Sequence, residues 1–141
     1  MKFYHTLVLL FVCVCFIGCS KNQGLSGNVT FSDDGSPLTV GMVCFENAEN
    51  GKLGRGEINT NGTYVAGFES DKNGIPKGTY KVFISNAMKE KGLDEKTGMP
   101  INEQLIAPKY SNANSSDLTF IADGKTRTFN ITVERPSAKQ K

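Results

Sequence analysis

The residues of this 141-residue chain best suited to chemistry near neutral pH are one histidine, His5, and four cysteines, Cys13, Cys15, Cys19 and Cys44. Imidazole accepts a nucleophile's proton and binds metals, and a thiolate attacks carbonyls or ligates zinc. Neither chemistry fits the spacing. His5, Cys13 and Cys15 lie in an N-terminal stretch that is first basic and then apolar. Cys44 sits within Val40 to Glu46 (VGMVCFE), an apolar run in which a thiol reads as buried and inert. Carboxylates cluster at Asp33-Asp34-Gly35, without the spacing of an EF-hand loop, so they read as a hydrogen-bonded turn and not as a metal site. No GxxxxGK[ST] or GxGxxG phosphate cradle occurs. Tyr64, Phe68, Phe83 and Tyr110 offer ring faces for stacking a sugar, but their places in strand-like segments and the absence of tryptophan favour sheet packing.

Lys2 precedes Leu7 to Ile17 (LVLLFVCVCFI), an apolar run within the ~7–15 residues of a signal sequence and short of the ~18 that span a bilayer. It ends in Phe16-Ile17-Gly18-Cys19-Ser20, which resembles the lipobox of bacterial lipoproteins, with Phe16 where leucine is usual. The resemblance implies cleavage between Gly18 and Cys19, a diacylglyceryl group on the Cys19 thiol and an acyl group on its amine. Ser20 in the next position implies an outer-membrane destination if the organism is Gram-negative. Two or more acyl chains hold a protein at a membrane where one does not.

Removing residues 1–18 takes away the histidine and leaves Cys44 as the one free thiol beside the lipidated Cys19. Ser-His-Asp, Cys-His and His-bearing zinc chemistry then have no base or ligand. The remaining acids lie in turns and on strand faces without a recognisable catalytic pair. The expectation is a non-enzymatic protein with no cofactor. Sixteen basic side chains stand against 14 acidic ones, too even a balance for a nucleic-acid partner.

After a tether at 19–23, strand-like segments recur at about 8–12-residue spacing, read from period-2 alternation, from the apolar run at Val40 to Glu46 and from the turns between them. They cover Leu25 to Ser32, Val40 to Glu46, Lys52 to Asn59, Thr63 to Glu69, Gly78 to Ala87, a stretch at Leu118 and Phe120, and Phe129 to Val133. The turn Thr60-Asn61-Gly62 reads as a hairpin between the third and fourth, and Asp123-Gly124-Lys125 joins the last two. Seven strands without an amphipathic helix predict an all-β, antiparallel sandwich over 24–135. Its expected core is Val29, Phe31, Val43, Phe45, Tyr80, Val82, Ile84, Phe129, Ile131 and Val133. Residues 88–110 break the alternation and read as a long surface loop with one turn of helix, and 136–141 as a basic tail. Long loops inside compact domains are often functional, which makes Lys89, Glu90, Lys91, Asp94, Glu95, Lys96 and Tyr110 candidate interaction residues.

SGNVTFSDDGSPLTVGMVCFE (26–46), GEINTNGTYVAG (56–67) and GIPKGTYKVFI (74–84), in that order, resemble the carboxypeptidase regulatory-like, or transthyretin-like, β-sandwich, an Ig-like arrangement. The closing stretch 105–134 resembles small planctomycete-type lipoproteins that carry this domain. The resemblance implies a fold more firmly than a function. A transthyretin-like branch hydrolyses 5-hydroxyisourate with histidines and a C-terminal Tyr-Arg-Gly-Ser, which this chain after residue 18 lacks. The expectation is a lipid-anchored envelope protein, held to the membrane by its N-terminal lipid, that acts as a structural or protein-interaction module. A glycan- or small-ligand-binding module is the alternative.

Overall fold

Alternation of buried and outward side chains sets β1 (Leu25–Phe31), with Leu25, Val29 and Phe31 turned inward and Asn28 exposed. The computed structural model describes residues 24–68 and 74–137. The rest of the chain, including Gly18, Cys19, the tether and the end of the basic tail, lies outside the described residues. β2 (Met42–Asn47), β3 (Leu53–Glu57), β4 (Thr63–Ala66) and β5 (Gly78–Ser85) follow. Then come β6 (Met88–Leu93), β7 (Pro100–Gln104), a 3-10 turn at Pro108–Ser111, β8 (Thr119–Ala122) and β9 (Ile131–Val133).

The protein is all-β, a sandwich of a three-stranded sheet in the order β4-β1-β9 and a four-stranded sheet in the order β3-β2-β5-β8. One core lies between the sheets. Phe45 is its centre, with the rings of Phe120, Tyr64 and Phe129 at 5.7, 6.2 and 6.3 Å. Nine of the ten expected core residues are buried, and Phe129 packs against them half-buried.

The structure corrects three expectations. First, nine strands form among the described residues, because β6 and β7 make a separate two-stranded ribbon within 88–110, where a loop was expected. Only the helical turn at Pro108–Ser111 matches that reading. Second, the sheets are not wholly antiparallel. β1 and β9 pair in parallel, Val29 with Ile131 and Phe31 with Val133. Apart from the β6–β7 ribbon, successive strands reverse direction, so β1 and β9, first and last of an odd series, run the same way. Placed side by side, they must be parallel. Third, neither expected hairpin is a simple one. β3 pairs with β2 and β4 with β1, so the chain changes sheets at Thr60-Asn61-Gly62 and keeps only single bridges, Ile58 to Tyr64 and Arg55 to Gly67. β8 and β9 also belong to opposite sheets. Asn-Gly still makes the turn: Gly62 takes φ +83° and its N–H donates to the Asn59 carbonyl at 2.8 Å.

These directions place two ends. β1 begins beside Ala66 of β4, at the same end as Gly78 of β5 and the turn following Asn47. β5 finishes at the opposite end, and the β6–β7 ribbon leaves from there.

Candidate functional site

Ala87 and Ile106 are both fully buried and fix the base of the β6–β7 ribbon in the core. The Leu105 N–H donates to the Ala87 carbonyl at 2.9 Å, and Gln104 donates through Nε2 to Ser111 Oγ at 3.1 Å. Above this base the antiparallel register runs from Met88–Gln104 to Leu93–Pro100, with a bulge between Glu90 and Gly92. Gly92 takes φ +128°, a backbone that a side chain would strain. At the tip the Asp94 carboxylate accepts the N–H groups of Thr97 and Lys96 at 2.8 and 2.9 Å and the Thr97 hydroxyl at 3.0 Å. Those donors, Thr97 N–H first, hold its pKa below the usual carboxylate value.

Every residue of β6 is exposed. Seven large apolar side chains of the described residues are exposed, and four are on this ribbon: Met88, Leu93, Met99 and Ile101. Leu93 and Met99 flank the tip at 62% and 67% exposure. Water-facing apolar groups are thus concentrated on this protrusion, which gives them no core of their own to enter. Its edges are guarded against pairing with another strand: β6 carries Lys89, Lys91 and the bulge, and β7 starts with Pro100, which has no N–H to give.

Six of the expected interaction residues come together here. Lys89, Glu90 and Lys91 stand on β6, Lys91 reaching Glu103 at 3.0 Å, and Asp94, Glu95 and Lys96 form the tip. Tyr110 does not join them. It is buried, 4% exposed, in the 3-10 turn, where Lys109 lies over its ring at 4.8 Å and bonds Glu134 at 2.8 Å. The reason is local: Pro108 starts a tight turn that swings the ring inward, beneath the Lys109–Glu134 pair. The apolar members Leu93, Met99 and Ile101 were not singled out from the sequence. Their signal was apolar residues inside a charged segment.

The sugar-stacking platform does not form. Tyr64 and Tyr110 are buried, Phe68 packs on the core against Tyr80 at 6.4 Å, and Phe83 lies on the outer face of the four-stranded sheet.

That outer face holds a shallow cleft of about 320 Å³. Register sets its floor: Cys44 lies between Arg55 on β3 and Phe83 on β5, with Met42 and Ser85 paired in the next row. Leu53 and Asn86 close its two sides. The Cys44 thiol is buried, 3.6 Å from Ser85 Oγ and 3.7 Å from the Met42 carbonyl. Burial raises its pKa, which keeps it a thiol. Arg55 is exposed, and among the described residues its guanidinium makes no ion pair. Asn86 takes φ +56°, and the Met88 N–H donates to its carbonyl at 2.9 Å, the tight turn that leads β5 into the ribbon.

Asp33 and Asp34 are engaged by Arg135, at 2.9 and 3.0 Å, while its guanidinium stacks 3.7 Å from the centre of the Phe31 ring. They tie the β1–β2 turn to the chain after β9.

No family model and no curated protein matches the chain. Two solved structures are similar. The major pilin subunit of Bacillus cereus aligns with 79% of this chain and 29% of its own, at 16% identity and a TM-score of 0.47. A 9R-lipoxygenase from Cyanothece PCC8801 aligns with 86% of this chain and 18% of its own, at 14% identity and a TM-score of 0.39. The chain thus spans less than a third of either, and likenesses of this size carry no functional argument.

Proposed function

We propose that this is a non-enzymatic lipoprotein of a bacterial cell envelope, anchored through Cys19, whose sandwich presents the β6–β7 ribbon to a protein partner. The ribbon carries the reading: a core-anchored protrusion with four exposed apolar side chains and edges closed to strand addition. The Gly18-Cys19 motif supports the anchor, and the loss of His5 with residues 1–18 supports the absence of enzymatic chemistry. Transthyretin-like is the finer fold we propose, supported by the three motif segments falling on β1 to β5. An outer-membrane site follows from Ser20 if the envelope has two membranes.

The test is crosslinking in native membranes, with recovery through a C-terminal tag and mass spectrometry, comparing wild type with Leu93→Ser/Met99→Ser. A discrete protein crosslinked to wild type and lost from the double variant is the expected result. Recovery without a protein partner, or a partner indifferent to both changes, would overturn the interaction reading. Retained envelope glycan in that case would favour the glycan-binding alternative.

A further inference from the structure

We infer that the cleft on the outer face of the four-stranded sheet binds a small organic monocarboxylate with an apolar body, its carboxylate on Arg55 and its hydrocarbon between Phe83, Met42 and Leu53. This goes beyond the proposed interaction role and does not use the ribbon.

Size, charge and lining select the ligand. The cleft's 320 Å³ equals the volume of about ten waters, room for a small aromatic or short aliphatic acid. Met42, Leu53 and Phe83 supply its apolar lining, and its polar residues stand on two sides: Arg55 on β3, across β2 from Ser85 and Asn86 at the end of β5. Arg55 is the one charged group lining it. A guanidinium fits a carboxylate through two parallel N–H bonds. The same face also carries Glu57, two residues along β3, and Glu46, opposite both Leu53 and Lys81. These acids leave no surplus positive charge for a phosphate dianion, so a monoanion is the match. A glycan is disfavoured, because its many hydroxyls would meet mostly apolar walls.

Cys44 in the floor provides the readout, since its buried thiol reacts only when the sheet around the cleft opens and a bound ligand holds the closed form. The full-length protein, produced in its host and held in lipid nanodiscs, is treated with N-ethylmaleimide, and Cys44 labelling is followed on its own peptide by mass spectrometry. The probes are 3-phenylpropionate and its neutral amide. At about 5 mM, the acid is expected to slow Cys44 labelling about sixfold if its Kd is about 1 mM. The amide should have no effect, Arg55→Gln should abolish protection, and Arg55→Lys should retain part of it. Equal protection by acid and amide, protection that survives Arg55→Gln, or no protection would overturn the assignment. Circular dichroism of the variants separates these results from misfolding. Because Cys44 is followed on its own peptide, the outcome is independent of whether Cys19 is lipidated or the ribbon has a partner.

Discussion

A Cβ built on Gly27 would lie 1.9 Å from the carbonyl oxygen of Phe129, the same oxygen that accepts the Tyr64 hydroxyl at 2.5 Å. Here β1 comes so close to the segment entering β9 that only a hydrogen fits. Gly27→Ala should therefore cost at least about 3 kcal/mol, the upper end of overpacking. Tyr64→Phe, which leaves the carbonyl without its partner, should cost about 1–3 kcal/mol. Urea unfolding measures both, and a Gly27→Ala protein as stable as wild type would show that β1 and β9 do not approach this way. A second residue-scale prediction concerns pH. Asp34 is held down to about 2 by hydrogen bonds from the Ser36 hydroxyl and N–H, with Arg135 adding to them. A carboxyl lowered on folding stabilises the protein above its unfolded value near 3.8, and that contribution fades as pH falls from there through about 2. Ser36→Ala should shift the Asp34 titration upward, as followed by carboxyl carbon NMR. The turn around Asp33-Asp34-Gly35 was legible in the sequence, because its chemistry is local. Its partner was not: Arg135 lies 102 residues from Asp33, and no local rule brings the two together.

At the scale of elements, legibility followed burial on one face. β1 and β5 turn alternate residues into the core, so period-2 patterning revealed them, while β2, buried at Val43, Cys44 and Phe45 alike, showed as an apolar run; the expected core residues of all three are buried. β6 and β7 have no core face. With both sides in water nothing selects apolar against polar at alternate positions, and the bulge shifts even the existing phase. Pairing makes them strands, and pairing leaves little trace in composition. The same physics separates anchor from surface. Ile106→Ala removes a fully buried side chain beneath the ribbon and should cost about 2–5 kcal/mol. Leu93→Ser and Met99→Ser, at exposed positions, should each change stability by no more than about 0.5 kcal/mol. Hydrogen exchange of the β6–β7 amides would show the difference: faster in Ile106→Ala, unchanged in the tip variants. Fast exchange in the tip variants would mean that Leu93 and Met99 hold the ribbon together, and their exposure would no longer point to a partner.

For the whole molecule, strand directions and the proposed anchor together fix an orientation. β1 starts at the end of the sandwich shared with the turn that includes Asn50, and the ribbon departs from the other end. Its seven residues span about 20 Å at the rise of a strand. From Cys19 to Leu25 the chain reaches at most about 20 Å when extended, so the end carrying Asn50 stays near the bilayer and the ribbon base stands away from it. A ribbon held off the anchoring membrane suits a partner in the space beyond, and its three lysines and four carboxylates between residues 88 and 104 give no net pull toward an anionic lipid surface. The arrangement is measurable in proteoliposomes that contain headgroup spin-labelled lipid. A dye on Asn50→Cys in a Cys44→Ser background should be quenched strongly, and the same dye on Glu95→Cys weakly. Stronger quenching at residue 95 would mean that the ribbon lies on the bilayer, making the lipid surface its contact and removing the case for a protein partner. Equal, weak quenching at both sites would instead point to a domain released from the membrane, and the Cys19 anchor would be the part of the proposal to fail.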